Sequence, residues 1–323
     1  MKNAGRIDGR TQLIGLLATP IGHSLSPAMH NLAFEKLGLN NAYMAFEVGN
    51  EQLEEVVRGM RALNIRGYNV SMPNKTAILQ YLDELDDSAK FTGAVNTVVN
   101  TDGKLKGYST DGSGYVRNLQ EHGIDLKGKK MTLVGSGGAA TPIAIEAARA
   151  GLAEISIFAR NDQFFARAEE NVRIINEEMK HTQVKANIYA LGNQEKLREE
   201  ILTSHIFANG TGVGMKPLEG KSVIEDVSML RSDLIVTDVV YSPAKSKLME
   251  QAESVGATAI NGLGMMLWQG ALASNYGQDK KCLSLILKNS FLLINCKIER
   301  HYITQKDYAR RMIILSGIVP FYC

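Results

Sequence analysis

A lysine and an aspartate stand out because each ends a short polar segment in the first third of the sequence. Lys75 ends Asn69–Lys75, and Asp111 follows Gly107–Thr110. A lysine can act as a base where burial lowers its pKa, whereas a neighbouring carboxylate favours the ammonium form. We therefore expect Lys75 and Asp111 to be a catalytic acid/base pair, and which of the two takes the proton stays open. The alternative is a surface ion pair of little consequence.

A glycine-rich hexapeptide provides a second chemical signal. The sequence Gly135-Ser136-Gly137-Gly138-Ala139-Ala140 has the G-x-G-x-x-A form of a dinucleotide-binding turn. It follows the strand-like segment Met131–Val134 and precedes the helix-like segment Thr141–Ala150. In that setting a pyrophosphate binds the free N–H groups at the start of the helix. The hexapeptide alone also fits an ordinary loop, and its position between a strand and a helix favours the dinucleotide.

The residues after the next predicted strand bear on the choice of cofactor. The chain there reads Arg160-Asn161-Asp162. An acid at this position hydrogen-bonds the ribose 2′-hydroxyl, whereas an arginine accommodates a 2′-phosphate. Asp162 therefore favours NAD, and Arg160 keeps NADP possible, although Arg160 could instead stack on the adenine. Asp162 could also cap the helix that follows.

Four polar clusters lie where strands of the first third are predicted to end. They are His23–Pro27, Asn69–Lys75, Ala94–Thr97 and Gly107–Gly112. Ligands of open α/β sheets collect at the carboxyl ends of the strands. The hydroxyl, amide, lysine and aspartate groups suit a small substrate with several hydroxyls and a carboxylate. Each cluster alone fits an ordinary polar loop, in which Ser26 would be a helix N-cap.

These segments need a scaffold, and the rest of the sequence predicts one. Strand-like and helix-like segments alternate from Leu13 to Val255, which predicts an α/β fold with mainly parallel sheets. We expect two domains. Residues 1–112, completed by about 263–281, would form an α/β substrate domain. Residues 113–262 would form a Rossmann dinucleotide domain. The predicted third helix of the first domain is Lys75–Leu82.

Composition excludes several other classes of protein. The 323 residues are 45% hydrophobic and 22% charged, with a formal charge of +2, which gives no reason to expect a nucleic-acid or membrane partner. The polar start lacks the features of a secretion signal, so we expect a cytoplasmic protein. Three cysteines fit neither a disulfide framework nor a zinc site, and no metal is expected. The oligomeric state is not decided, and a homodimer is possible.

The order of the motifs resembles that of the shikimate dehydrogenases from about Leu13 to Gln269. The segments are Ser24–Pro27, Asn69–Lys75, Ala94–Thr97, Gly107–Asp111, Gly135–Ala139, Asn209–Met215 and Gly262–Gln269. Asp162 and Val239–Pro243 are most similar to the quinate/shikimate dehydrogenase branch, which can use NAD. The resemblance implies reversible NAD(P)-dependent oxidation of shikimate, and of quinate, to the 3-dehydro ketone. That reaction belongs to the chorismate pathway of aromatic amino acid biosynthesis or to quinate use.

The resemblance also implies roles for individual residues. Ser24 and Ser26 would bind the substrate carboxylate, and Ser71, Asn96 and Gln269 would bind ring hydroxyls together with the catalytic Lys75 and Asp111. The nicotinamide end would be lined by Asn209, Thr211, Gly214, Met215, Val239 and Gly262. Tyr241 could reach the nicotinamide or the substrate. Two positions depart from the family pattern: Ser71 replaces the usual threonine, and Ser109 replaces the usual asparagine beside Asp111.

The C-terminal sequence departs from the family more strongly. All three cysteines lie in it, at Cys282, Cys296 and Cys323, and the helical pattern fades. We interpret 282–323 as an atypical tail and hypothesise that a frameshift replaced the native C-terminus from about Ser274. A lineage-specific extension is the alternative. For the function itself, two alternatives remain: a non-catalytic sensor of NAD and a shikimate-like ligand, and a dehydrogenase of another small polyol acid.

Overall fold

The computed structural model describes residues 7–22, 24–162 and 165–276. The atypical tail and its three cysteines lie outside the described residues, so the frameshift hypothesis is not tested. His23, the first residue of one polar cluster, also lies outside them.

The first 108 residues contribute one six-stranded sheet, with the strand order β2-β1-β3-β5-β6-β4. β1 pairs in parallel with β2 and β3, whereas β5 pairs antiparallel with β3 and β6. Among the described residues, four α-helices accompany this sheet. The elements are β1 (Gln12–Ala18), α1 (Ser26–Leu37), β2 (Asn41–Glu47), α2 (Leu53–Ala62), β3 (Gly67–Val70), α3 (Asn74–Ala77), β4 (Glu84–Leu85), α4 (Asp87–Thr92), β5 (Thr97–Thr101) and β6 (Lys104–Tyr108).

The second sheet is parallel throughout, with the order β12-β11-β10-β7-β8-β9. This is the strand order of a doubly wound dinucleotide-binding sheet: β8 and β9 are added on one side of β7, and β10, β11 and β12 on the other side. The predicted α/β fold class, with its Rossmann part, is confirmed. The elements are β7 (Lys130–Val134), α6 (Ala140–Arg149), β8 (Glu154–Ala159), α7 (Phe165–Arg173), β9 (Lys185–Ala190), α8 (Gln194–Thr203), β10 (Ile206–Asn209), β11 (Ile235–Asp238), α9 (Lys247–Ser254) and β12 (Thr258–Ile260).

Two helices, α5 (Asp111–Glu121) and α10 (Leu263–Tyr276), pack side by side where the two sheets meet. Glycines allow the close approach. A Cβ at Gly114 would lie 2.6 Å from the backbone nitrogen of Gln269, and a Cβ at Gly264 would lie 1.9 Å from the Asn118 side-chain oxygen. The helix pair therefore fixes the depth at which α10 presents its side chains to the first sheet.

Local structure differs from the sequence expectations at several points. The predicted helix Lys75–Leu82 is a single turn, α3, followed by a 3₁₀ turn at Ile78–Tyr81. Ser26 is not an N-cap: it is the first residue of α1, and Leu25 occupies the cap position without a side-chain hydrogen bond. Pro27 is therefore the second helical residue, still within the first turn, where its fixed φ is tolerated.

A cluster of charged residues around the buried Glu200 lies near the amino-terminal ends of strands in the second sheet, opposite their carboxyl ends. Glu200 on α8 is 5% exposed and contacts Lys130 at 2.7 Å and Lys196 at 2.9 Å. The Ser156 hydroxyl donates to the same carboxylate at 2.7 Å. Burial alone would raise the pKa of Glu200, but the hydrogen bonds from these partners outweigh it and lower the pKa to about 2.

The depressed pKa of Glu200 predicts an acid-sensitive contribution to folding. A carboxyl whose pKa is lowered by folding stabilises the protein above its usual pKa of 4.5, and the stabilisation disappears as the pH falls toward about 2. Glu200→Gln should reduce the free energy of unfolding and flatten its pH dependence across this window, as urea unfolding would show. Glu121→Gln, which alters an exposed pair with Arg117, should keep the wild-type slope. An unchanged slope in Glu200→Gln would contradict the prediction.

Candidate active site

Lys75 and Asp111 contact each other directly. The Lys75 Nζ lies 2.5 Å from the Asp111 Oδ2, and their side chains are 18% and 15% exposed. Lys75 is the second residue of α3, and its carbonyl accepts a hydrogen bond from Val95 at 2.8 Å. Asp111 is the first residue of α5, where the helix dipole favours a negative charge. The pair is thus held from two different elements and largely shielded from solvent, unlike a surface ion pair.

Asn96 holds the second oxygen of this carboxylate. Its Nδ2 donates to Asp111 Oδ1 at 2.9 Å and to Thr110 Oγ1 at 2.9 Å. Its Oδ1 accepts from the Thr110 N–H at 2.8 Å and from the Thr97 hydroxyl at 3.1 Å. Both amide protons of Asn96 are therefore in use before any ligand binds, and a ligand hydroxyl would have to share or replace one of these bonds.

Gln269 brings α10 into the same group. Its Oε1 lies 3.4 Å from Asn96 Nδ2, and its main-chain carbonyl accepts from the Thr110 hydroxyl at 3.0 Å. Thr110 is fully buried. Thr110 occupies the N-cap position of α5, but its side chain makes no capping hydrogen bond. Its hydroxyl is instead hydrogen-bonded to Asn96 and to the Gln269 carbonyl. The sequence argument did not assign Thr110 a role, although its place beside Asp111 in a polar segment marked it.

The residues that line the main cleft of the described structure do not include Ser24, Ser26, Ser71 or Tyr241, which are predicted to bind the substrate. Ser24 and Ser26 are partly buried at the start of α1, and the Ser26 N–H donates to Ser24 Oγ at 3.3 Å. The Ser71 N–H donates to the Leu17 carbonyl at the end of β1. Tyr241 is half-buried in an apolar cluster with residues of α10 such as Trp268, and burial raises the pKa of Tyr241.

The glycine turn has the geometry that its sequence predicts. Gly135 adopts a φ of +113°, which disfavours any side chain, and its N–H donates to the Phe158 carbonyl. A Cβ at Gly137 or Gly138 would meet nothing within 4 Å, so the turn has an open face. Ala139 is the N-cap of α6, and Ala140 is fully buried against Gly210, where a Cβ would lie 2.6 Å from that of Ala140. The turn thus offers backbone groups and free space to an anion at a helix start, which fits a pyrophosphate.

The residues around the predicted nicotinamide end form a hydrogen-bonded loop. Asn209 at the end of β10 accepts from the Thr211 N–H and hydroxyl, and donates to Asp238 at 2.9 Å. Burial raises the pKa of Asp238 while the hydrogen bond from Ser246, at 2.6 Å, opposes the rise. Val239 donates to the Asn209 carbonyl. The buried Asn209 and Asp238 thus stabilise the loop that contains Thr211.

Two of the predicted nicotinamide residues are glycines with backbone roles. Gly214 adopts a φ of +107° in the loop after Thr211. A Cβ at Gly262 would lie 2.0 Å from the carbonyl oxygen of Val239, so Gly262 allows the close packing there. Met215 is 45% exposed at the rim of the loop.

Lys75, Asp111 and the glycine turn line a single cleft of about 680 Å³. The cleft runs between the two sheets at the carboxyl ends of their strands, where α/β folds bind ligands. Its walls include Met72, Lys75, Asp111, Gly135, Ser136, Gly137, Gly138, Ala139, Phe158, Arg160, Leu191, Thr211, Met215, Lys216, Val239 and Met265. An acid/base pair at one end and an anion cradle at the other suit a redox reaction between a dinucleotide and a small alcohol.

Arg160 and Asp162 form an ion pair beside the cleft. Arg160 Nη2 lies 3.1 Å from Asp162 Oδ2, and their side chains are 66% and 38% exposed. Arg160 lines the cleft, whereas Asn161 and Asp162 lie beyond its lining residues. Both charges lie just after the last residue of β8.

Comparison with known proteins supports the same assignment. Residues 16–98 match the family model for the shikimate dehydrogenase substrate binding domain. A shikimate dehydrogenase (NADP(+)) of Listeria monocytogenes serotype 4b is 59% identical over 268 residues, which cover 83% of this chain and 91% of that protein. The chain belongs to the shikimate dehydrogenase family. The dehydrogenase class predicted from the motifs is confirmed.

Solved structures of the shikimate dehydrogenase family have the same architecture. A shikimate 5-dehydrogenase from Listeria monocytogenes, in complex with shikimate and NAD, is 55% identical with a TM-score of 0.84, covering 89% of this chain and 99% of that chain. A quinate dehydrogenase from Corynebacterium glutamicum, in complex with NAD, is 27% identical with a TM-score of 0.74, covering 83% and 94%. Among the described residues, no helix is long and apolar enough to cross a membrane, and no group of three or more metal-binding side chains is found.

Proposed function

We propose that this chain catalyses the reversible oxidation of shikimate to its 3-dehydro ketone with NAD(P). The observation that carries the proposal is the shared cleft: the Lys75–Asp111 pair and the glycine turn line the same 680 Å³ space in a member of this family. A polyol acid at one end would thereby face the reactive end of a dinucleotide that starts at the other. The reaction would serve the chorismate pathway of aromatic amino acid biosynthesis.

A dinucleotide would be held mainly by backbone groups of the glycine turn. Its pyrophosphate fits the open face of Gly135–Ala139 at the start of α6. The other proposed contacts are Ala140, Arg160, Asn161 and Asp162 at the adenosine end and Asn209, Thr211, Gly214, Met215, Val239 and Gly262 at the nicotinamide end. When bound, the dinucleotide supplies the hydride acceptor.

The substrate would be held by polar groups of the first sheet and α10. Ser24 and Ser26 are proposed to bind the carboxylate, and Ser71, Asn96, Tyr241 and Gln269 the hydroxyls. Because the Asn96 amide protons already hold Asp111 and Thr110, this residue has a second effect: it orients the catalytic carboxylate.

Lys75 and Asp111 are proposed to handle the proton. Oxidation of a secondary alcohol releases one proton from the hydroxyl, and a group within hydrogen-bond reach must accept it. The 2.5 Å distance between Lys75 Nζ and Asp111 Oδ2 supports this proposal, because two groups so close together can contact the same substrate hydroxyl. Asp111 keeps the lysine oriented, and Asn96 keeps Asp111 oriented.

The proposal is tested by assaying shikimate and quinate, each with NAD and with NADP, through the absorbance of the reduced nicotinamide. We expect turnover of shikimate and a lower rate with quinate, for which the quinate dehydrogenase neighbour is the precedent. Turnover of neither acid, with ligand binding retained, would indicate a sensor. Turnover of a different polyol acid alone would indicate another dehydrogenase.

We propose NAD as the preferred cofactor, with NADP as a second one. Asp162 faces Arg160 at 3.1 Å and thereby competes with a 2′-phosphate for the guanidinium. The curated Listeria relative bears the name of an NADP(+) enzyme. The preference between NAD and NADP therefore depends, in this proposal, on whether Asp162 or Arg160 has the stronger effect on the 2′-phosphate.

Asp162→Ser is expected to raise kcat/KM for NADP relative to NAD by about tenfold, since one carboxylate that repels the 2′-phosphate is removed. Asp233→Ser is a matched control. Asp233 also pairs with an arginine two residues before it in the sequence, Arg231, with 2.8 Å between Oδ1 and Nε, and this pair lies outside the cleft. Steady-state kinetics with both cofactors measure the ratio. An equal ratio in wild type and Asp162→Ser would remove Asp162 from cofactor choice.

We also propose the domain boundaries 1–112, completed by about 263–281, and 113–262. Support comes from α10, whose Leu267 and Trp268 pack with Met29 of α1.

A further inference from the structure

A chain of hydrogen-bonded side chains leads from the edge strand of the first sheet to the catalytic carboxylate. The Tyr43 hydroxyl donates to Asn69 Oδ1 at 2.8 Å, and Asn69 Nδ2 donates to Thr97 Oγ1 at 3.1 Å. The Thr97 hydroxyl donates to Asn96 Oδ1 at 3.1 Å. Asn96 Nδ2 then donates to Asp111 Oδ1 at 2.9 Å. This series of hydrogen bonds includes residues of β2, β3 and the start of β5. It ends at Oδ1 of Asp111, whereas Lys75 contacts Oδ2.

Backbone groups fix the direction of this chain. Asn69 Nδ2 also lies 3.2 Å from the Asn96 carbonyl, which can only accept, so the amide oxygen of Asn69 must face Tyr43. Asn96 Oδ1 lies 2.8 Å from the Thr110 N–H, which can only donate, so the amide nitrogen of Asn96 must face Asp111. Every hydroxyl and amide in the chain therefore has one orientation that satisfies its neighbours.

Tyr43 is the anchor at the far end. Its N–H and carbonyl are both bound by the Asn31 side chain, at 2.9 and 2.8 Å, and its ring stacks on His30 with centroids 4.3 Å apart. It is 2% exposed. Burial raises the pKa of Tyr43, which keeps the phenol protonated as a donor, and a hydrogen bond from Ser26 opposes the rise. Tyr43 is therefore held through its backbone and through one face of its ring.

We propose that Tyr43 and Thr97 are positioning residues that set the orientation of the Asn96 amide and, through it, of Asp111 toward Lys75. Neither residue lines the cleft. The inference rests on the proposed function, since it concerns the groups that handle the proton. Loss of the Tyr43 hydroxyl removes the donor to Asn69 Oδ1. Loss of the Thr97 hydroxyl removes one of the donors to Asn96 Oδ1 and leaves that oxygen with Thr110. Each loss weakens the hold on the Asn96 amide and, through it, the orientation of the carboxylate.

Tyr43→Phe tests the anchor, with Tyr68→Phe as the matched control. Both tyrosines are 2% exposed in the same sheet, but the Tyr68 hydroxyl has no hydrogen-bond partner among the described residues. Tyr43→Phe should lower kcat for shikimate about tenfold and leave KM for the dinucleotide unchanged, since misplacement affects the reacting groups. Tyr68→Phe should keep the wild-type kcat. Thermal unfolding of both variants separates a loss of positioning from a loss of folding.

Thr97 provides an independent break in the same chain. Thr97→Val removes the hydroxyl at constant shape and should lower kcat by a similar factor, whereas Thr97→Ser should restore it. The double variant Tyr43→Phe/Thr97→Val should be scarcely slower than either single variant, because both act on one chain.

The outcomes separate this inference from the proposed function. A wild-type protein that does not oxidise shikimate overturns the proposed function. An active wild type with a Tyr43→Phe variant of equal kcat overturns the role of Tyr43. Fully multiplicative losses in the double variant would contradict the proposal that Tyr43 and Thr97 act through one series of hydrogen bonds. A Thr97→Ser variant as slow as Thr97→Val would also contradict it.

Discussion

Lys75→Ala is expected to lower kcat for shikimate oxidation by about a hundredfold to ten-thousandfold. The substitution removes the ammonium that contacts Asp111 at 2.5 Å and leaves a partly buried carboxylate with Asn96 as its remaining partner among these groups. KM for the dinucleotide should change little, since the glycine turn at the other end of the cleft is untouched. Steady-state kinetics in both substrates measure the two effects separately.

A second lysine variant controls for the loss of a charge. Lys90 forms an exposed pair with Asp87 at 3.2 Å on α4, away from the cleft. Lys90→Ala should keep the wild-type kcat, because exposed pairs contribute little. If Lys75→Ala retained wild-type turnover, Lys75 would have no part in the proton transfer, and Asp111 alone would have to be considered.

Gly112→Ala is expected to reduce the free energy of unfolding by about 2–3 kcal/mol. Gly112 is the second residue of α5, and a Cβ there would lie 2.1 Å from the Pro142 carbonyl oxygen on α6. The obstacle is backbone rather than a flexible side chain, so one of the two helices must move. Because Asp111 is the adjacent residue, kcat should fall as well.

A helical glycine with free space around it provides the control. Gly59 lies within α2, and a Cβ there would meet nothing within 4 Å. Gly59→Ala should be neutral or slightly stabilising, since alanine favours helix more than glycine does. Urea unfolding of both variants gives the comparison, and equal stabilities would contradict the close contact between α5 and α6.

The sequence sufficed for the elements whose signals are local. The turn Gly135–Ala140 was predictable because its glycines, the strand before it and the helix after it all occur within a short stretch of chain. The alternation of strands and helices likewise predicted the fold class. The pairing of Lys75 with Asp111 was implied by the resemblance to the shikimate dehydrogenases, and it agrees with the rule that polar segments at strand ends converge.

Other features depend on contacts that no local pattern encodes. The helix predicted from Lys75 onward is cut to one turn and continues as a 3₁₀ turn. The helix α1 begins at Ser26, although the Ser-Pro pattern favours a helix that begins at Pro27. The roles of Thr110 and Tyr43 arise from partners far apart in sequence, such as Gln269 for Thr110. Spacing along the chain contains no information on such pairs.

The packing of α10 also supplies a natural optical reporter. Trp268 is the single tryptophan of the chain, it is 8% exposed, and the Arg117 guanidinium of α5 lies 4.7 Å from its ring. Met29 of α1 and Tyr241 after β11 belong to the same apolar cluster. Any ligand that changes how the two halves meet should therefore alter the emission of this one indole. Such a change can be followed in the unlabelled protein by tryptophan fluorescence.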